Sequence, residues 1–226
     1  MDDRTNVSPE PRRARSASGT WFRRWVRPVA SAGLAALALG TTATAAFAFG
    51  TTVPCSTRSE SAVFSRFGDS ASYFAVPNGG FESGTTDWAL TGGAGVVAGN
   101  EGYKVHSSTD TKSLRIPAGA TVESRTICVT NSEDTIRLFV SNAHVAGSIL
   151  HVEATVRNPS TGQTAQASFE DNGDAAPAGW SPTMKLGIPK LLAGNGTQDL
   201  TLRFTTRGTP ATWNIDDVYV DPFKSY

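Results

Sequence analysis

The residues able to do chemistry in this chain are few, and most are carboxylates. Asp216 and Asp217 stand side by side in Trp213-Asn214-Ile215-Asp216-Asp217-Val218-Tyr219-Val220, near the C-terminus. Glu82 closes Asn78-Gly79-Gly80-Phe81-Glu82, and Glu170-Asp171 precede Asn172-Gly173-Asp174. Paired carboxylates are the equipment of glycosidic-bond hydrolysis. Here, however, Glu170 to Asp174 reads as a turn after a strand, and its spacing does not match a calcium-binding loop. By simple alternation Asp216 shares a face with Val218 and Val220. If that face packs inward, the carboxylate needs a cation or several hydrogen bonds. The nucleophiles lack a setting: Gly68-Asp69-Ser70-Ala71-Ser72 ends in the wrong residue for a G-x-S-x-G elbow. His106, His144 and His151 are dispersed and form no H-x-x-x-H pair, which argues against a zinc hydrolase. His151 falls on the polar face of its strand and is expected in solvent. The chain therefore reads as a binding protein and not as an enzyme.

Binding of sugars calls for aromatic faces that stack on pyranose rings and a few polar groups for the hydroxyls. Trp180 lies in Pro177-Ala178-Gly179-Trp180-Ser181-Pro182, a loop with no obvious core to join, and is the first platform candidate. Tyr103 and Tyr219 follow it. Trp88 and Trp213 read as core residues.

What must position these residues is a domain outside the cell. Met1 to Arg27 carries seven arginines and no lysine, and an Ala-rich apolar run follows from Pro28 to Phe49. Ala43-Thr44-Ala45-Ala46-Phe47-Ala48 offers several A-x-A cleavage sites, so residues 1–48 read as a cleavable signal peptide and 49–226 as a single domain. Arg23-Arg24 hints at twin-arginine export, although Arg27 interrupts the apolar pair that should follow. The run is too broken by Gly33, Gly40 and threonines to span a membrane. The leader holds seven of the 20 basic and three of the 20 acidic residues, leaving 13 basic and 17 acidic, a net −4. That charge argues against a nucleic-acid partner. Cys55 and Cys128 both survive cleavage, and an even pair outside the cytoplasm reads as a disulfide. The expected state is a secreted monomer, either free or held at the cell envelope.

No segment after residue 50 keeps a helical period. Short apolar runs alternate with Gly, Pro, Asn, Ser and Thr, and predict strands at 73–76, 88–90, 96–97, 103–106, 113–116, 120–129, 136–140, 149–156, 163–169, 184–188, 200–206 and 212–220. Leu150, Val152, Ala154 and Val156 share one face of their strand, and Leu200, Leu202 and Phe204 one face of theirs. A single helical turn is expected at Pro189 to Leu192. About ten short strands at this spacing predict an all-β, two-sheet antiparallel sandwich.

The opening Asn78-Gly79-Gly80-Phe81-Glu82, with Trp88 beyond it, and the closing Trp213-Asn214-Ile215-Asp216-Asp217-Val218-Tyr219-Val220 together resemble the galactose-binding-like jelly rolls. That family includes the carbohydrate-binding modules of secreted glycoside hydrolases; small secreted actinobacterial proteins share the same frame. The resemblance implies a jelly-roll domain that binds a polysaccharide or cell-envelope glycan without catalysis. It also implies a structural Ca²⁺ held by Glu82 and Asp216 with oxygens near Asn78, tying the first strand to the last. A structural or adhesive envelope protein with no sugar site is the alternative.

Overall fold

Alternation of apolar and polar residues, interrupted by glycine and proline turns, makes the described residues almost entirely strands and their connections. The computed structural model describes residues 54–56, 58–142, 145–172, 179–191 and 196–222. Residues 1–48, expected to be a signal peptide, lie outside the described residues, as do His144, most of the loop before Trp180, Leu192 and the last four residues. The strands are β1 (Phe74–Ala75), β2 (Trp88–Thr91), β3 (Gly95–Ala98), β4 (Lys112–Ile116), β5 (Thr121–Ser124), β6 (Ile127–Val129) and β7 (Glu133–Ser141). They continue as β8 (Ser148–Arg157), β9 (Thr164–Asp171), β10 (Ser181–Pro182), β11 (Leu186–Gly187), β12 (Gln198–Gly208) and β13 (Trp213–Pro222). One 3₁₀ turn, Ser65–Phe67, precedes them.

All pairings among these strands are antiparallel, in two sheets. One runs β10-β7-β13-β4-β3, with β1 also on β13 and β11 on β7; the other runs β2-β5-β12-β8-β9, with β6 also on β12. The chain crosses between sheets at every step except β3 to β4, β5 to β6, β8 to β9 and β10 to β11, which is jelly-roll connectivity. Leu150, Val152, Leu200, Leu202 and Phe204 from one sheet meet Ile136, Leu138, Ile215 and Val220 from the other in a single apolar core. Trp88, Phe81 and Trp213 pack there too.

Four expectations are corrected. Residues 103–106 form a loop, because Glu101 draws the Tyr103 and Val105 backbone N–H groups onto its carboxylate. The strand expected over 120–129 breaks at Arg125-Thr126, where the Arg125 N–H turns to the Asp87 carbonyl. Residues 189–191 form no helical turn. The Glu170-Asp171 pair continues β9, with Glu170 opposite His151.

The outer face of the β7–β13 pair carries a second, aromatic cluster: Phe64, Tyr73, Phe139 and Tyr219. The segment holding the 3₁₀ turn covers it. Cys55–Cys128, with Cα atoms 5.1 Å apart, fixes the start of that segment to β6. Arg58 reinforces the join by bonding Glu133 and the Cys128 carbonyl while lying over the Phe74 ring. Further along, Asp69 accepts hydrogen bonds from Tyr73 (2.6 Å) and Arg137 (2.8 Å) and lies 3.0 Å from Lys185 Nζ. Burial alone would raise the Asp69 pKa; the Tyr73 bond, then Lys185, the Ala71 N–H and Arg137 outweigh it and hold the group at about 2. A depressed carboxyl stabilises the fold above its unfolded value and loses that contribution as pH falls through its folded one. The gap in unfolding free energy between the parent and Asp69→Asn is therefore expected to shrink by about 2 kcal/mol between pH 5 and pH 2. Urea denaturation across that range measures it, and a gap independent of pH would contradict it.

Candidate functional site

Two regions gather polar side chains in ways that a core does not explain. The first is the outward face of the β2-β5-β12-β8-β9 sheet. Register places Glu123, Arg203, Glu153 and Ser168 in one row across four strands, with Ala89 at its β2 end. The next row holds Thr121, Thr205, His151 and Glu170, with Thr91 on β2. Thr201, Thr155 and Gln166 form a third. Each has an apolar neighbour in sequence that faces the core, so alternation alone builds the surface.

The central side chains of this face shield one another. Burial pushes the Glu123 carboxyl up, opposed by Arg203 and helped by Glu153. His151, expected in solvent, is only 6% exposed. Its Nδ1 lies 3.6 Å from Glu170, beyond hydrogen-bond reach. His151 Nδ1, Arg203 Nε and Thr205 Oγ1 are all buried without a protein partner. Three unpaired polar atoms on two adjoining strands are unusual, since buried polar groups are nearly always satisfied.

The second region lies where β13 meets the loop between β3 and β4. An extra residue in β13 between Asp216 and Tyr219 makes a β-bulge against β7, with Asp217 in the left-handed region at φ 49°. The bulge overturns the alternation expected from sequence. Asp216 pairs with Phe139 on the outer face, while Val218 and Val220 face the core. The loop closes over it: the Glu101 N–H donates to Asp216 (2.9 Å), and the Asp217 N–H donates to the other Asp216 oxygen (2.9 Å). Asp110 reaches His106 Nδ1 at 2.6 Å.

The Asn78-Gly79-Gly80 turn completes the site. Gly79 must be glycine because a Cβ there would stand 2.7 Å from the Val218 carbonyl, whose strand it bonds. That approach sets Gly80 beside the acids. A Cβ on Gly80 would lie 3.0 Å from Asp217 Oδ1, 3.6 Å from His106 Nδ1 and 3.7 Å from Asp110 Oδ2.

Glu101, Asp110, Asp216 and Asp217 are all buried, and their charges oppose one another. Burial and the Asp217 charge push Asp216 up to about 9, against its two N–H donors. Burial, then Glu101, pushes Asp217 up to about 7. Both Asp217 oxygens lack a hydrogen-bond partner; the His106 N–H lies near enough to favour their charge without reaching bonding geometry. An orphaned buried carboxylate, a second acid and an imidazole around a space kept clear by glycine fit a divalent cation.

The residues marked in the sequence are distributed differently from the expected sets. Of Glu82, Asn78 and Asp216, only Asp216 belongs to the acid cluster. Glu82 accepts the Thr111 and Lys112 N–H groups, each at 2.7 Å. Asn78 braces its own turn, donating to the Gly84 and Thr86 carbonyls and accepting from the Ser83 N–H. Trp180, Tyr103 and Tyr219 gather at the aromatic cluster. Tyr219 is buried in it, Trp180 is half-buried against it, and Tyr103 is 38% exposed with the Arg66 guanidinium 5.0 Å from its ring. Glu101, His106 and Asp110 carried no periodic signal, because the loop that brings them in is ordered by side chain–backbone bonds. Two hollows of about 260 and 320 Å³ flank Arg58 beside the disulfide, away from both regions.

Among the described residues no helix is long and apolar enough to cross a membrane. No family model and no curated protein matches the chain. Among solved structures it is similar to TmCBM61 in complex with β-1,4-galactotriose, at 14% identity and TM-score 0.40 over 66% of this chain and 97% of that one. It is also similar to CBM28, a carbohydrate-binding module specific for non-crystalline cellulose, at 13% identity and TM-score 0.45 over 65% of this chain and 94% of that one. A third is the CBM22-1 xylan-binding domain of Paenibacillus barcinonensis Xyn10C, at 17% identity and TM-score 0.39 over 65% of this chain and 93% of that one.

Proposed function

We propose that the domain is a secreted, non-catalytic module that binds a neutral polysaccharide or cell-envelope glycan, as a monomer, across the outward face of the β2-β5-β12-β8-β9 sheet. The observation that carries this reading is the set of cross-strand rows of Glu, Arg, His, Thr and Gln with three polar atoms unpaired. Hydroxyl groups donate and accept at once, and such a mixed face offers both roles within one strand spacing. Arg203 and Thr205 are half-buried, so part of each side chain stays open to a ligand laid across the face. Arg203 lies between Glu123 and Glu153, and Arg207 and Arg157 lie near Glu170 and Asp199, so the face has no strong single-sign field to select a charged chain.

Affinity electrophoresis and calorimetry against neutral and anionic polysaccharides test the proposal. At least one neutral polysaccharide should bind, and Arg203→Ala should weaken it roughly tenfold or more, the worth of a charge-assisted hydrogen bond. The melting temperature of the variant serves as the folding control. Absence of binding across the panel would instead favour a structural or adhesive role for the same sandwich.

A further inference from the structure

We infer that His106, Asp110 and Asp217 form a mixed nitrogen–oxygen site for a divalent transition-metal ion, which clamps the β3–β4 loop to the β13 bulge. The donor atoms of these three residues all lie within 4.8 Å of one another. The inference is independent of the glycan reading, since the site lies on the other sheet.

Three observations converge on it. Asp217 is 1% exposed, and both its oxygens are unpartnered. Its neighbours are spent differently. Asp216 takes two backbone N–H groups, and Glu101 takes those of Tyr103 and Val105, so these two acids hold the loop and leave Asp217 free. Gly80 keeps the space between Asp217, His106 and Asp110 open, and its backbone is not in the left-handed region, so no turn requirement explains the missing side chain. His106, exposed in part, gives the site an opening to solvent.

The donor set indicates the class of ion. Calcium and magnesium take oxygen ligands, whereas imidazole beside carboxylates suits zinc and its neighbours. A hydrogen bond now joins His106 Nδ1 to Asp110 Oδ2. The cation takes the place of the bridging proton, which leaves to solvent, and its two charges match those of the Asp110 and Asp217 carboxylates. The F-E glutamate, Glu82, is not among the ligands.

Calorimetry and thermal melting of the full chain, stripped with chelator and titrated with Zn²⁺, Mn²⁺ or Ca²⁺, test the assignment. We expect one Zn²⁺ or Mn²⁺ per chain, with a rise in melting temperature. Asp217→Asn and His106→Ala should each weaken binding by roughly tenfold or more. Gly80→Ala should do the same while leaving the stripped protein folded, which separates loss of the site from loss of the fold. Failure to bind Zn²⁺ or Mn²⁺ would overturn the assignment. Binding indifferent to Asp217→Asn would do so as well. Calcium bound as tightly as zinc and unaffected by His106→Ala would overturn the mixed donor set in favour of an all-oxygen site.

Discussion

Trp213→Ala is expected to destabilise the domain by about 4 kcal/mol. Trp213 is the largest fully buried side chain among the described residues and sits at the head of β13, opposite Ile116 of β4. Its indole N–H donates to the Ser148 hydroxyl at 2.8 Å, across the sandwich to the first residue of β8. The change removes the ring from a core that cannot fully collapse, and it strands a buried hydroxyl. Urea denaturation should show a lower midpoint with an unchanged slope. Trp213→Phe keeps most of the volume and should recover more than half of the loss. A domain that tolerates alanine within about 1 kcal/mol would mean that this end of the sandwich is open, contrary to the structure.

Loss of the disulfide comes next in size. Cys55 and Cys128 are 73 residues apart, and closing a loop of that length is worth roughly 4 kcal/mol in chain-entropy models. Cys55→Ser with Cys128→Ser is expected to lower stability by about 2–5 kcal/mol. The effect should exceed the entropy of the loop alone in one respect. The bridge positions Arg58 over Phe74 and against Glu133, so the cover over the aromatic cluster should loosen first. Denaturation with and without reductant measures the size, and hydrogen exchange of the amides from Ser61 to Tyr73 measures the order. Equal stability in the two redox states would contradict it.

Much of this fold was legible in the sequence, for a plain reason. Strands such as β8 and β12 bury one face, so their alternation survives in the residue types, and both were read with errors of two residues or fewer at their ends. Trp88 and Trp213 were also legible as core, and both are buried there. Alternation fails where the backbone breaks its own period. At Asp217 one extra residue turns Asp216 away from Val218 and Val220, and nothing in Ile-Asp-Asp-Val announces it. The acid cluster was half visible: Asp216 stood out as a charge that needed partners. Its partners Glu101 and Asp110 lie about a hundred residues away in a loop whose order comes from carboxylates binding backbone N–H groups, a pattern without a period. His151 escaped for another reason. Its position on the polar face was right, yet that face is crowded enough to bury it. Trp180 lacked a visible core because its core is the second, outer cluster, built from segments far apart in sequence.

A glycan bound as proposed lies across the face built by β5, β8 and β12. The most direct measurement is the change in backbone amide NMR shifts of the labelled domain as neutral oligosaccharides of the xylo-, cello- and galacto-series are added. Saturable shifts concentrated at Glu123, His151, Glu153, Arg203 and Thr205 are expected, lost in Arg203→Ala. Shifts confined to Tyr103 and Trp180, or none with any oligosaccharide, would contradict it.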